Sequence, residues 1–356
     1  MNIDIFSQDN MVKKCTLQGA RFLFVLLVFF SHCSSPYILS PFDFGGECGV
    51  SFFFILSGFV LSYGYGPSVS RGEFKTGKYF RRHLLKLYPL HLLLFAVMLF
   101  LDWRVGYHYD WSQIITTLLL VQSWIPSNHT LYNINPVSWF LCDTFFFYLI
   151  FKHLYSFIIK TKLSNLIKLI VGFAVIYVVI AWQVPNNMIN CTLYANPILR
   201  SFDFAIGIIA YRYYKTTGLS WHKYSSYNYA SLTIFIGLSL LVYSIYQLLD
   251  GNGVRCVALF WSFMPIFIIY LAAIDNTRNI VARIFSSRLM LWLGNISFEF
   301  FMVHLIIMRL LRHIIKTGET LLTDYIFFGI ALCASIVAAW ILHRWFTSLL
   351  LRRKNI

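Results

Sequence analysis

The sequence is poor in charged residues. Only 12% of its 356 residues are Asp, Glu, Lys or Arg, while 58% are hydrophobic. An ordinary soluble domain carries about 25% charged residues, because charge keeps its surface solvated. The shortage therefore excludes a typical soluble enzyme and predicts an all-α protein that crosses a membrane many times.

Acidic residues are especially few. The chain has 14 Asp and Glu against 29 Lys and Arg, which gives a net charge of +15. Lys and Arg concentrate in the cytoplasmic loops of membrane proteins, so the excess is mainly a topology signal. With no basic patch on a soluble domain, nucleic-acid binding is disfavoured. An anionic lipid or an anionic cofactor at the cytoplasmic face fits the charge better.

The sequence also lacks the patterns of disulfide frameworks and metal sites. Its seven cysteines are an odd number and form no C-x-x-C pair, which disfavours a disulfide framework. Its ten histidines are dispersed, without the close pairing of a zinc site. We expect no metal.

Long apolar runs are what the chain does have. A spanning helix needs about 20 apolar residues. Ten runs reach this length, and they cover residues 17–37, 47–65, 83–101, 137–158, 166–184, 198–214, 229–249, 254–274, 290–311 and 322–348. An eleventh apolar run, at 113–125, is shorter and is typical of a re-entrant or interfacial segment.

The basic residues favour ten spans over eleven. If residues 113–125 do not span and the N-terminus is cytoplasmic, most of the 29 lysines and arginines fall in cytoplasmic loops. Both termini are then cytoplasmic, and residues 102–136 form one long outer loop. We expect a single membrane domain over 1–356, without a soluble C-terminal domain. The sequence does not indicate an oligomeric state.

Two ionisable residues lie within the first apolar run, with ten mostly apolar residues between them. Arg21 and His32 are eleven residues apart, just over three helical turns, which puts them on one face about 16 Å apart. Ionisable residues inside a span are costly and mark functional sites by default. The alternative for His32 is a hydrogen-bonded packing residue.

The same stretch carries a resemblance. "LQGARFLFVLLVFFSH" resembles the opening of the membrane acyltransferase type 3 superfamily, where an Arg, ten residues and a His share the first span. Further stretches match in family order and extend the resemblance over most of the chain. They are "GVSFFFILSGFVLSY" (49–63), "YFRRHLLKLYPLHLL" (79–93), "NPILRSFDFAIGIIA" (196–210) and "LGNISFEFFMVHLII" (293–307).

One family segment departs from the pattern. "VSWFLCDTFFFYLIF" (137–151) is similar to a stretch in which the family has a glutamate, but this chain has Thr144 there. Asp143 is the carboxylate available, about 100° away around a helix. Asp143 is therefore the candidate acidic partner, and a family member that has lost activity is the other interpretation.

The resemblance implies transfer of an acetyl group from cytoplasmic acetyl-CoA to a carbohydrate hydroxyl at or beyond the other face of a bacterial inner membrane. His32, with Arg21 and Asp143, would be catalytic. His32 could act as a general base or carry the acyl group itself. Arg81, Arg82 and Lys86 would bind the phosphates of the coenzyme. Their alternative role is to set topology.

The acceptor side is predicted from the resemblance and the ten-span topology. Trp139, Arg200, Asp203 and His304 are candidate acceptor contacts in the outer halves of their spans. Arg200 and Asp203 are three residues apart and could instead pair with each other. A multi-span transporter of lipid-linked sugar or a small anion remains the alternative function. Transporters often carry inverted repeats, and the sequence has none that is visible.

Overall fold

The computed structural model describes residues 14–33, 45–224, 256, 260–261, 263–275, 279–315, 317–318 and 320–347, with side chains of 45, 218–224 and 347 left aside. Every regular element in these ranges is helical, as predicted. The elements are α1 (Cys15–His32), α2 (Gly45–Ser70), α3 (Thr76–Arg104), α4 (Trp111–Leu118), α5 (Asn128–Leu131), α6 (Trp139–Lys160), α7 (Leu163–Gln183), α8 (Pro197–Tyr224), α9 (Phe263–Ile274), α10 (Ile280–Phe285), α11 (Arg288–Asn295), α12 (Ser297–Arg312) and α13 (Leu321–Ile341).

Six of the helices are long and apolar enough to cross a membrane, namely α1, α2, α3, α6, α7 and α13. The pair α11 and α12 makes a seventh if it counts as one span. The predicted run 198–214 lies within α8, whose 28 residues are long enough to cross but whose charges lower its hydropathy. The run 254–274 is described mainly as the 12 residues of α9, and the run 229–249 lies outside the described residues. The total of ten spans and the cytoplasmic location of both termini remain predictions.

The predicted run 290–311 is interrupted. α11 and α12 meet at Ile296 with a bend of 63°. The Ser297 hydroxyl donates to the Gly294 carbonyl at 2.9 Å, which satisfies a carbonyl that the broken helix leaves unpaired. The bend brings Gly294 against α1, where an added Cβ would lie 2.0 Å from the Gln18 carbonyl oxygen.

The run 113–125 forms α4, of eight residues, and a short 3₁₀ turn at Gln122–Trp124. Neither is long enough to span, in agreement with the sequence prediction. Trp111, Ile115 and Leu119 are spaced four apart and are 78%, 50% and 60% exposed. One apolar face of this segment is thus uncovered, which is typical of a helix lying in a membrane interface.

α2 lies at the centre, between α1 and α8. It approaches α8 at two glycines, since a Cβ on Gly58 would lie 2.1 Å from the Phe204 oxygen and one on Gly207 would lie 2.0 Å from the Ile55 oxygen. Such close backbone contact is common between membrane helices, where small residues drive packing. The larger of two apolar clusters in the described part of the chain includes residues from Leu17 in α1 to Ala339 in α13, and the smaller contains Tyr177, Ala181 and Leu193.

Candidate functional site

A pair of histidines joins α1 to α12. His32 is the last residue of α1, and His304 lies in the middle of α12. The Nδ1 atom of His32 lies 3.2 Å from Nε2 of His304, and the ring centroids are 5.1 Å apart. The predicted catalytic histidine and a predicted acceptor contact are therefore hydrogen-bonded to each other.

Backbone carbonyls define where the protons lie on these two rings. Nδ1 of His304 lies 2.8 Å from the carbonyl oxygen of Phe301, which can only accept, so Nδ1 carries the proton. Nε2 of a neutral His304 is then an acceptor. Nδ1 of His32 faces both this acceptor and the carbonyl oxygen of Val28, 2.9 Å away, and so donates. A neutral His32 consequently presents an unprotonated Nε2.

His32 lines a cavity of about 270 Å³. Among the described lining residues, His32 is the one imidazole, and the others are apolar or aromatic. Trp139, a predicted acceptor contact, lines the same cavity. A basic nitrogen in largely apolar surroundings suits proton transfer, because bulk water is excluded there. The remaining lining residues are Val28, Val50, Tyr132, Pro136, Val137, Tyr194, Phe301 and Leu305.

Arg312 fixes the end of α1. Its Nη2 donates to the carbonyl oxygen of His32 at 3.1 Å. A cation at a helix C-terminus satisfies a free carbonyl and opposes the helix dipole. Arg312 is eight residues beyond His304 and lies on the same face of α12. No local pattern links Arg312 with His32, since 280 residues separate the two.

A second, fully buried polar cluster lies behind the cavity wall. Arg200 and Asp203 form an ion pair with Nη1 and Oδ2 2.9 Å apart and 1% and 0% of their side chains exposed. Arg200 also donates to the carbonyl of Cys256 and, at 3.3 Å, to the hydroxyl of Ser51. The local pairing that their spacing suggested is therefore present.

Asp143 belongs to the same buried cluster. It is completely buried, with Arg200 and Ser123 as polar neighbours, and neither carboxylate oxygen has a well-formed hydrogen bond to a described residue. Thr144, at the family's glutamate position, donates its hydroxyl to the Phe140 carbonyl at 2.7 Å. Thr144 is thus satisfied within its own helix, and Asp143 is the acidic group that faces the cluster.

Aromatic rings separate this cluster from the cavity. Tyr194 lines the cavity, and the Arg200 guanidinium lies 5.5 Å from its ring centroid. Tyr194 also packs against Trp139 at 4.9 Å. Arg200, Asp203 and Asp143 are not among the residues that line the cavity. They support its wall, whereas His32 and Trp139 reach the space inside.

The predicted coenzyme-binding cations lie toward the other end of α1. Arg21 is half-buried, its Nε has no hydrogen-bond partner among the described residues, and Glu299 and Tyr148 are its electrostatic neighbours. Arg81 and Arg82 are exposed near the start of α3, and Lys86 is half-buried about one turn further along. A free guanidinium nitrogen and two exposed guanidinium groups fit the phosphates of a nucleotide-bearing coenzyme.

Glu299 has a partner that the sequence did not reveal. Its Oε1 lies 2.9 Å from Nδ1 of His343, which follows α13 in a π-helical turn. Glu299 is 3% exposed, and its Oε2 has no hydrogen bond in the described part of the chain. The pair joins α12 to the end of α13 near Arg21. The two residues are 44 positions apart, too far for any local pattern to indicate the contact.

Helix α1 is continuous from Cys15 to His32, so it sets the distance between Arg21 near its start and His32 at its end. Arg21 and His32 lie on one face, and the rise between them is about 16 Å. The basic residues at the start of α3 and the cavity at His32 are therefore at different depths of the membrane domain.

Comparison with known proteins gives one family and two curated relatives. Residues 16–344 match the model of the acyltransferase type 3 family, described as an acyltransferase domain. The acyltransferase MdmB of Streptomyces mycarofaciens is 27% identical over 226 residues, which are 56% of this chain and 57% of that protein. Protein 2 in the picA locus of Rhizobium radiobacter is 32% identical over 92 residues, 26% of this chain and 47% of that protein.

The chain thus spans about half the length of these curated relatives. No solved structure matches it.

Proposed function

Because this chain belongs to the membrane acyltransferase type 3 family, we propose that it moves an acetyl group from cytoplasmic acetyl-CoA to a hydroxyl of a bacterial surface carbohydrate or its lipid-linked precursor. The setting is the bacterial inner membrane. The observation that carries the proposal is the unprotonated Nε2 of His32, held in a largely apolar cavity by the hydrogen bond from Nδ1 to His304.

His32 acts as the base in the simplest mechanism. Its Nε2 takes the proton of the acceptor hydroxyl while the hydroxyl oxygen attacks the thioester carbonyl carbon. The new C–O bond forms and the C–S bond breaks. The thiolate leaves and takes the proton from Nε2 of His32, which returns the neutral imidazole. The positive charge on the ring is stabilised by His304, whose Nε2 accepts the hydrogen bond from Nδ1–H.

A two-step mechanism uses the same atom. Nε2 of His32 attacks the thioester carbonyl carbon, the C–S bond breaks, and the thiolate leaves and is protonated by solvent, so that an acyl-imidazolium remains. The acceptor hydroxyl then attacks the acyl carbon, the C–N bond breaks, and the hydroxyl proton passes to Nε2 and on to solvent, which restores the free imidazole and yields the ester. The separation of about 16 Å between Arg21 and His32 along α1 is consistent with delivery of the acyl group across part of the membrane.

Binding of the donor is assigned to the cations near the start of α3 and to Arg21. Arg81 and Arg82 are exposed near the start of α3, and Lys86 adds a point charge about one turn away. The free Nε of Arg21 would meet the acyl-bearing end. Positioning of the acceptor is assigned to Trp139. His304 does not line the cavity and instead orients His32, while Asp143, Arg200 and Asp203 are positioning residues behind the wall.

The test uses purified protein in lipid nanodiscs with radiolabelled acetyl-CoA and a lipid-linked glycan extract. We expect acetyl transfer that is faster than transfer from succinyl-CoA, together with loss of O-acetyl groups from the surface glycan of cells that lack the protein, measured by mass spectrometry. An unchanged glycan, no transfer from either donor and movement of unmodified glycan across the bilayer would instead support the transporter alternative.

A further inference from the structure

A second cavity, of about 290 Å³, lies in the segment between α3 and α6. Its wall includes Tyr107 and Tyr109 from the loop after α3, Asn128 from α5, Asn133 and Arg309. None of these residues belongs to the acyl-transfer site described above. Its volume is close to the lower limit of small-molecule sites, which begin at about 300 Å³.

Two residues of the cavity wall carry polar atoms without a hydrogen-bond partner among the described residues. Asn133 is 6% exposed, and its amide oxygen accepts from the Thr117 hydroxyl, but Nδ2 has no partner among the described residues. Asn128 donates to the Asn187 carbonyl, while its Oδ1 has no described partner. An unpaired buried donor destabilises a fold by about 1–3 kcal/mol. The wall thus holds one donor and one acceptor that a ligand with both kinds of group would satisfy once the amide side chains turn toward it.

The tyrosines of the cavity wall and the neutralised charge of Arg309 indicate which class of ligand the cavity would bind. Tyr107 is 49% exposed and packs edge-on against Tyr109 at 4.8 Å. Arg309 is neutralised by an ion pair with Asp102, which also accepts from the Tyr109 hydroxyl at 2.5 Å. Burial and this hydrogen bond raise the pKa of Tyr109, so it remains a neutral donor. The wall therefore suits an uncharged ligand with an apolar face and several hydroxyl groups, which describes a sugar ring.

The two cavities share a wall residue. Tyr132 lines both this cavity and the one that contains His32. We propose that the second cavity is a glycan subsite, which binds a neutral sugar unit adjacent to the one whose hydroxyl reaches His32. The inference rests on the proposed function for its biological meaning, but sugar binding can be measured without acyl transfer.

The experiment is saturation-transfer NMR of glucose, galactose, N-acetylglucosamine and cellobiose against the full chain in nanodiscs. We expect at least one of them to bind, Tyr107→Ala to weaken it at least tenfold, and Tyr107→Phe to retain it because the ring face is kept. Tyr325→Ala is the matched control, since Tyr325 is 53% exposed on α13 and lines neither cavity.

The result that overturns the proposal is no binding of any of these sugars, or equal affinity in Tyr107→Ala and the native chain. His32→Ala separates the two proposals, since it should bind sugar normally while losing transfer. If the native chain transfers no acyl group but binds sugar in a Tyr107-dependent way, the proposed function fails and the subsite stands. Loss of sugar binding in a folded His32→Ala would contradict a distinct subsite.

Discussion

His304 is the residue whose role depends most closely on geometry. Together with the Val28 carbonyl, its Nε2 accepts the hydrogen bond from Nδ1 of His32, and this contact orients the ring with its free Nε2 toward the cavity. We predict that His304→Ala lowers kcat by about 10²-fold with little change in the acceptor KM, since misplacement of a catalytic group has effects of this size. His304→Gln, whose amide oxygen can still accept, should recover part of the loss. Steady-state kinetics with wild-type kcat in His304→Ala would rule out this positioning role.

Arg200 and Asp203 test the energetics of buried charge. Asp203→Asn leaves the Arg200 cation buried with its counter-charge removed, and we expect the free energy of unfolding to fall by about 3–5 kcal/mol. The double replacement Arg200→Met with Asp203→Leu should be less harmful, because neither member of this ion pair is then left without the other. Thermal unfolding in detergent measures both.

The control for that prediction is the exposed ion pair of Arg71 and Glu73, whose side chains are both 60% exposed. Glu73→Gln should change stability by at most about 1 kcal/mol, because solvent screens surface pairs. Equal effects of Asp203→Asn and Glu73→Gln would contradict the account of the buried cluster.

Local spacing decides which residue contacts a sequence can reveal. Arg200 and Asp203 are three apart on one helix, so their pairing was foreseen as an alternative. His32 and His304 are 272 residues apart, and Glu299 and His343 are 44 apart. No helical periodicity relates such positions, and the contacts depend on how α1, α12 and α13 pack. The sequence therefore identified His32 and His304 separately but not as a pair.

At the scale of the helix, the contact between α2 and α8 depends on glycine. A Cβ on Gly207 would lie 2.0 Å from the Ile55 carbonyl oxygen, which cannot move without displacing the backbone. We predict that Gly207→Ala destabilises the protein by about 1–3 kcal/mol, the usual effect of overpacking. Gly329→Ala on α13 is the control, since its Cβ would meet nothing within 4 Å. Equal unfolding temperatures for the two variants would show that the close approach is absent.

Helix positions followed from hydropathy, whereas the bend between α11 and α12 did not. Apolar runs predicted helices at the places where α1, α2, α3, α6, α7 and α13 lie. The 63° break falls at Ile296, within an apolar stretch that contains no proline. Tertiary packing of Gly294 on α1 accompanies the bend, and hydropathy carries no information about such packing.

At the scale of the whole molecule, the prediction to test is that the chain crosses the membrane ten times with both termini in the cytoplasm. In the ten-span arrangement, Lys78 lies on the cytoplasmic side, while His108 and Gly251 lie on the outer side. We expect Cys at 108 or 251, in a chain whose seven native cysteines are replaced, to react with an impermeant maleimide in intact cells. Cys at 78 should react only after permeabilisation. Labelling of positions 78 and 108 from one side would contradict the topology, and protection of 251 in intact cells would argue against a span at 229–249.

The central claim is that Nε2 of His32 performs the acyl-transfer chemistry. The most direct measurement is the rate of acetyl transfer to glycan by His32→Ala, beside His153→Ala as the matched control, since His153 is exposed on α6 and lines neither cavity. With both variants folded and equally abundant, we predict at least a 10²-fold loss in His32→Ala, the usual minimum for removal of an acid–base group, and the wild-type rate in His153→Ala. Wild-type transfer by His32→Ala would contradict the mechanism.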